Sequence, residues 1–128
     1  MRLLLDTHIL LWAGFTPDRL PEGAVALLAD DANELLFSVV SLWELTIKRS
    51  LRPEGAIGDP RLLRALALSN GYVELPMLAD HAFAVGALPP VHRDPFDRAL
   101  LAQATVEGLM LVTVDADLAR YPGPIRKV

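Results

Sequence analysis

Several acids of this chain stand where chemistry could use them. Leu3-Leu4-Leu5 runs directly into Asp6, and Leu111-Val112-Thr113-Val114 runs into Asp115. In open parallel sheets, ligands bind beyond the carboxyl ends of the strands near a topological switch point. Two neighbouring strands ending this way would set both carboxylates on one rim. Each aspartate also has a plain role as cap of the helix that follows, and for either one taken singly that is the better account. Glu44 is odder. In Ser41-Leu42-Trp43-Glu44-Leu45-Thr46-Ile47-Lys48 it shares a helical stripe with Val40, Ile47 and Leu51. A carboxylate on a mostly apolar stripe needs a partner or an ion. Lys48, four residues on, is the ordinary partner, in an orientation worth about a few tenths of a kcal/mol. In Asp94-Pro95-Phe96-Asp97-Arg98, Asp94 reads as an N-cap, Pro95 as the first helical residue and Asp97 as the third-position acid of a capping box. The cap explains Asp94 fully and Asp97 less well, because aspartate reaches back poorly compared with Glu or Gln.

Four acids from four separated segments thus gather at one rim. Without cations such a cluster repels itself and raises its own pKa values. Mg²⁺ or Mn²⁺ resolves this, since hard cations take oxygen ligands. Such ions activate water and stabilise phosphoryl oxygens, as in metal-dependent nucleases. No Gly-rich phosphate loop is present, no HExxH-type spacing joins His8, His81 and His92, and there is no cysteine for a disulfide, a thiolate site or a thiol nucleophile.

The elements that must position these acids follow from turn and cap residues. Strands are expected at 2–5, 35–39, 72–75, 109–114 and, as an edge, 125–128. Helices are expected at 7–14, from Pro21 to 28 or 29, at 40–51, 61–69, 78–87 and 95–107, with a short one after Asp115. Gly14 and Pro17 are expected to stop the first helix, Asn70-Gly71 the fourth and Gly108 the sixth. Strands alternating with helices imply a parallel sheet covered on both faces, and continuous apolar strands such as 3–5 and 109–112 suit a sheet buried on both sides. The strand order itself is not readable from this pattern.

The chain has 128 residues, enough for one domain and too few for two. Apolar residues make up 52% and mean hydropathy is +0.34, yet no apolar run approaches the ~18 residues of a membrane span. The opening MRLLLD meets an aspartate too early for a signal-peptide core. A soluble, cytoplasmic domain is expected, with a large core or an apolar partner surface. Lys plus Arg is 12, Asp plus Glu is 16, and the net charge is −4. That disfavours a phosphate-tracking protein, except one whose bound cations enter the sum. Setting four site acids aside leaves 12 acids against 12 bases.

At this point the residues resemble a known family. Leu4-Leu5-Asp6-Thr7-His8, Ser41 through Lys48, His92-Arg93-Asp94-Pro95-Phe96-Asp97-Arg98 with Leu101-Ala102-Gln103-Ala104, and Leu111-Val112-Thr113-Val114-Asp115 are, in this order and spacing, similar to a PIN domain of the VapC type, the ribonuclease toxin of a toxin–antitoxin pair. The resemblance covers nearly the whole chain, 1–128, as a single domain. It implies a three-layer α/β/α sandwich around a four- or five-stranded parallel sheet of order 3-2-1-4-5. It implies Mg²⁺- or Mn²⁺-dependent hydrolysis of RNA, with Asp6, Glu44, Asp97 and Asp115 as catalytic metal ligands and Thr113 as a hydrogen-bonding support. It also implies a VapB-type antitoxin partner and a homodimer, both of which would cover apolar surface.

Around that site, His8, His92, Arg93 and Arg98 are candidates for substrate contact. For His8 a solvent-facing place in the first helical turn is preferred, and for His92 a hydrogen bond to loop backbone. Arg98 stands at i+4 from Asp94 and reads as its ion-pair partner, although guanidinium is also a natural phosphate grip. Lys48, Arg49 and Arg52 read as a solvated helix end, and Trp12, Trp43, Phe37 and Phe96 as core. Two rival activities fit less well. A phosphorelay receiver wants an aspartate after the middle strand, where Tyr72-Val73-Glu74-Leu75-Pro76 has none. A haloacid-dehalogenase-like phosphatase wants one two residues after Asp6, where His8 stands. A non-enzymatic PIN-fold binding module is opposed by the four filled acids.

Overall fold

The computed structural model describes residues 1–55 and 57–128. Five parallel strands, β1 (Arg2–Leu5), β2 (Glu34–Ser38), β3 (Val73–Leu75), β4 (Met110–Thr113) and β5 (Ile125–Lys127), form one sheet of order β3-β2-β1-β4-β5. The α/β sandwich and strand order implied by the resemblance are therefore observed. Among the described residues six helices surround the sheet: α1 (Thr7–Phe15), α2 (Glu22–Ala29), α3 (Val39–Leu51), α4 (Pro60–Ser69), α5 (Ala79–Val85) and α6 (Pro95–Glu107). Short 3-10 turns span Pro17–Arg19 and Leu118–Arg120. Among the described residues no helix is long and apolar enough to cross a membrane.

The first strand is the central one, and its composition explains why. Leu3, Leu4 and Leu5 are all fully buried, since a strand covered on both faces has no use for a polar side chain. Leu4 faces a core built with Leu36, Leu111, Leu100, Leu101 and Ala104 under α6. Leu3 and Leu5 face the opposite core, with Ile9, Leu10, Ala24, Leu27, Phe37, Leu63 and Val112 under α1, α2 and α4. Helix α3 serves both, giving Val40 to the first and Leu45 to the second. In register, Leu5 pairs with Val112, so Asp6 and Thr113 leave adjacent strands side by side.

Several element ends differ from expectation for local reasons. Gly14 lies inside α1, which runs to Phe15; a Cβ there would stand 2.4 Å from Leu63 Cδ1, so glycine is present to let α4 approach. Pro21 is the extended N-cap of α2, not its first helical residue. Val39 opens α3 and does not close β2, because Ser38 Oγ accepts the Val40 N–H and starts the helix there. Strand β4 ends at Thr113, two residues short of Asp115.

One buried polar chain had no counterpart in the sequence pattern. Ser38 Oγ donates to Gln103 Oε1 at 2.6 Å, and Gln103 Nε2 donates to the Pro76 carbonyl at 3.2 Å. Fully buried His81 accepts the Leu78 N–H at Nδ1, which leaves its proton on Nε2 to donate to Glu107 at 2.8 Å. The chain ties the end of β2 to α5 and α6.

Candidate functional site

Asp6 is 2% exposed and its position is fixed twice. Its backbone N–H continues the sheet to the Val112 carbonyl at 2.9 Å. Its Oδ1 accepts the Thr7 N–H and its Oδ2 the Thr113 hydroxyl, both at 2.6 Å. The Thr113 oxygen in turn accepts the Asp115 N–H at 2.9 Å. One hydroxyl therefore joins the two strand-end acids. Asp115 uses Oδ1 to cap the following turn through the Asp117 and Leu118 N–H groups, leaving Oδ2 free on the other side, 3.6 Å from His92 Nε2.

Glu44 is 3% exposed, on the inner side of α3. Thr7 Oγ1 lies 2.8 Å from Glu44 Oε1 and 2.9 Å from Ser41 Oγ. One hydroxyl proton cannot serve both, so Thr7 donates to the carboxylate and Ser41 to Thr7. Lys48 Nζ reaches the other oxygen, making the expected i,i+4 pair. Asp97 is 7% exposed in the first turn of α6. Asp94 is the N-cap, its Oδ1 accepting the Phe96 N–H at 2.9 Å and the Asp97 N–H at 3.4 Å. Asp97 itself does not close a capping box; its Oδ2 meets His92 Nε2 at 2.9 Å. His92, Asp94 and Asp97 each offer one ligand atom, and these lie within 4.8 Å of one another.

His92 belongs to this cluster and also to the loop. Its Nδ1 accepts the Arg93 N–H at 3.1 Å, so the ring proton sits on Nε2 and points at the acids. The Tyr121 hydroxyl holds the backbone of the same residue, accepting the His92 N–H at 2.8 Å and donating to its carbonyl at 3.0 Å. Nothing in the sequence pointed to Tyr121. Thr7 and Ser41 had weak signals, the first beside Asp6 and the second three residues before Glu44 on the same helical face.

Arg98 does not pair with Asp94, and its guanidinium is not free to grip phosphate. It donates to the carbonyls of Pro89, Val85 and Leu88 and, at 2.8 Å, to the Tyr121 hydroxyl. The carbonyls exposed after α5 stops satisfy its donors and turn it away from the acids. Arg93 is exposed, and no side-chain partner for it occurs among the described residues. His8 is exposed, with its ring 5.8 Å from that of Trp12. Phe37 is core as expected, but Trp43 is 59% exposed: it lies one residue from Glu44, and α3 turns Glu44 inward.

The electrostatics carry the same message. Burial pushes the Asp97 carboxyl up to about 7, the charges of Asp6, Asp94 and Glu44 add to the rise, and the His92 hydrogen bond opposes it. Burial likewise raises Asp6, against the Thr113 hydrogen bond, the His8 charge and the Thr7 N–H, with Glu44 adding to the rise. Partial burial opposes the Lys48 charge, but the bond to Glu44 and the nearby Asp94 and Asp97 outweigh it and raise the ammonium pKa. Two buried carboxyls held above their ordinary range, with Lys48 and His92 only at the edges, describe a site short of positive charge. Its donors are carboxylate oxygens, which suit a hard divalent cation, so these residues fit such an ion.

The PIN domain family model matches residues 3–124. Among curated proteins, the chain is similar to Ribonuclease VapC22 of Mycobacterium tuberculosis, 29% identical over 136 residues and covering 96% of this chain and 95% of the relative. Among solved structures it is similar to VapBC2 of Rickettsia felis bound to a DNA fragment from its promoter, at 21% identity and a TM-score of 0.74 over 100% of this chain and 99% of the other. It is also similar to Mycobacterium tuberculosis VapC20, a sarcin-ricin loop cleaving toxin, at 19% identity and a TM-score of 0.61 over 91% and 92%.

Proposed function

The chain belongs to the PIN-domain family, and from that premise we propose that it is a Mg²⁺- or Mn²⁺-dependent endoribonuclease, the toxin of a type II toxin–antitoxin pair. The observation that carries this reading is the burial of Asp6, Glu44 and Asp97, close enough that the charges of the first two act on the third, with Asp6 joined through Thr113 to Asp115. Asp6, Glu44, Asp97 and Asp115 would hold the metal. When bound, the cation supplies a Lewis acid for phosphoryl oxygen and lowers the pKa of water.

The other residues act on those four. Thr113 holds Asp6 and Asp115 in one geometry, while Thr7 and Ser41 do the same for Glu44. His92 keeps a proton on Nε2 between Asp97 and Asp115. The whole of 1–128 works as one domain in the cytoplasm. Its partners are RNA, a second copy of itself and a VapB-type antitoxin, a reading supported by relatives that are VapBC complexes.

The deciding experiment is cleavage of single-stranded RNA with added Mg²⁺ or Mn²⁺, repeated in excess EDTA. Cleavage that stops with chelator, and that falls by orders of magnitude in Asp6→Asn and Asp97→Asn chains that remain folded, is the expected result. Activity persisting in EDTA or in either variant overturns the mechanism.

A further inference from the structure

Both carboxylate oxygens of Glu44 are engaged, by partners of different kinds. Oε1 accepts the Thr7 hydroxyl at 2.8 Å, and Oε2 accepts from the Lys48 ammonium. Thr7 is buried and neutral. The Lys48 side chain is charged and 46% exposed, whereas that of Glu44 is 4% exposed. An ion pair with both ends in water contributes little. Here one end is buried, and without Lys48 the carboxylate would sit in the interior with no cation, which is costly. Partial burial works against the ammonium, yet the Glu44 bond and the charges of Asp94 and Asp97 outweigh it and hold its proton. Among the described residues, no other lysine or arginine stands within ion-pair distance of Asp6, Glu44, Asp97 or Asp115.

We propose that Lys48 is the resident counter-ion of the acidic site: its ammonium holds the second Glu44 oxygen in the metal-free chain and withdraws when a divalent cation takes that oxygen. The inference rests on the metal-dependent nuclease reading and specifies how the site is kept before the ion arrives. Thr7 bonds the other oxygen and carries no charge, so it can stay. An ammonium and a divalent cation on one oxygen repel each other. Of the two, the ammonium is free to go, because it ends a flexible four-carbon stem that water already reaches. In solvent it regains a strong hydration shell. The pair therefore does two things that a helix-surface pair does not. It lets the metal-free chain tolerate the buried Glu44 charge, and it holds metal affinity below what the acids alone would give.

The test uses the full chain and metal ions alone, without RNA. Lys48 and Lys127 are the only lysines of the chain, so isotope-labelled lysine gives two side-chain ammonium signals by NMR. The Lys48 ammonium protons should be protected from solvent exchange in EDTA and lose that protection at saturating Mg²⁺. Exposed Lys127 should exchange freely in both and serves as the reference. Affinities for Mg²⁺ and Mn²⁺ are measured by calorimetry. Lys48→Gln should bind either ion roughly 10-fold more tightly than the parent, and Lys48→Arg, which keeps the charge, should not tighten binding. In EDTA the Lys48→Gln chain should melt below the parent, and saturating Mg²⁺ should close the gap. The exchange measurement needs no substitution, so it decides even where Lys48→Gln fails to fold without metal. Metal binding that leaves Lys48 protected, or that is unchanged or weaker in Lys48→Gln, overturns the counter-ion role and leaves the nuclease reading standing. If the parent chain binds neither Mg²⁺ nor Mn²⁺, both readings fall.

Discussion

Thr113 donates its hydroxyl proton to Asp6 across 2.6 Å, although the two residues stand 107 positions apart in the chain. Because the same oxygen accepts the Asp115 N–H, a single small side chain sets the relative position of two acids. Thr113→Val keeps the shape and removes both bonds. It should cut metal affinity or cleavage rate by about 10- to 100-fold, while Thr113→Ser stays near the parent. Metal titration and single-turnover cleavage of the two variants check this.

Asp94 and Asp97 should separate. Asp94→Ala loses the cap on α6 and should cost about 1 kcal/mol of stability with a smaller effect on chemistry. Asp97→Ala removes a buried, self-repelled carboxyl and should do the reverse. Denaturant curves and cleavage rates decide between them; equal catalytic loss would place Asp94 among the ligands beside His92 and Asp97.

The metal-free chain should lose stability as pH rises from about 4 toward 8. Asp97 has an ordinary value of 3.8 and is pushed up to about 7 in the fold. Between those values the folded state holds a proton that the unfolded state has released, so raising pH favours unfolding. Asp6 shifts in the same direction. Melting temperatures in EDTA should therefore fall across this window, and Mn²⁺ should flatten the slope. A metal-free melting temperature that rises with pH would contradict the site electrostatics.

Tyr121→Phe should loosen the loop that carries His92. The ring stays buried, but the hydroxyl bonds to the His92 backbone and to Arg98 are lost. About 2 kcal/mol of stability should go with them, together with part of the cleavage rate. The Nε2 proton of His92, observed by NMR, should broaden in the variant if the strap is what holds the ring.

Glu44→Gln should abolish growth arrest by the chain expressed alone and only modestly weaken its complex with the protein of the adjacent reading frame. An inhibitor arginine would suit the acids, but apolar contacts elsewhere should supply most of the affinity. A Glu44→Gln chain that still stops growth would defeat the toxin reading.

The sheet was legible because leucine runs, prolines and glycines mark its elements locally: Asp94 as a cap, Gly108 in left-handed conformation after α6. The candidate acids stood out locally for different reasons: Asp6 and Asp115 follow apolar strand runs, Glu44 interrupts an apolar helical stripe, and Asp97 fits a capping box poorly. What escaped was set by tertiary contact. Tyr121 reaches His92 from 29 residues away, and Arg98 leaves its helical neighbour for carbonyls that only the folded loop presents. Trp43 looked like core because its composition is apolar, whereas the side of α3 it occupies is decided by Glu44.

The central place of the first strand also governs when the candidate site can be assembled during synthesis. A nascent chain that ends before Met110 already carries Asp6, Glu44 and Asp97, but β1 then has a neighbour on one side only, and neither Thr113 nor Asp115 exists. Closure of the sheet therefore waits for a segment more than 100 residues from β1, a non-local pairing of the kind that forms late in folding. The candidate site is thus completed by the last long-range pairing of the sheet core and not by the segments that carry most of its acids.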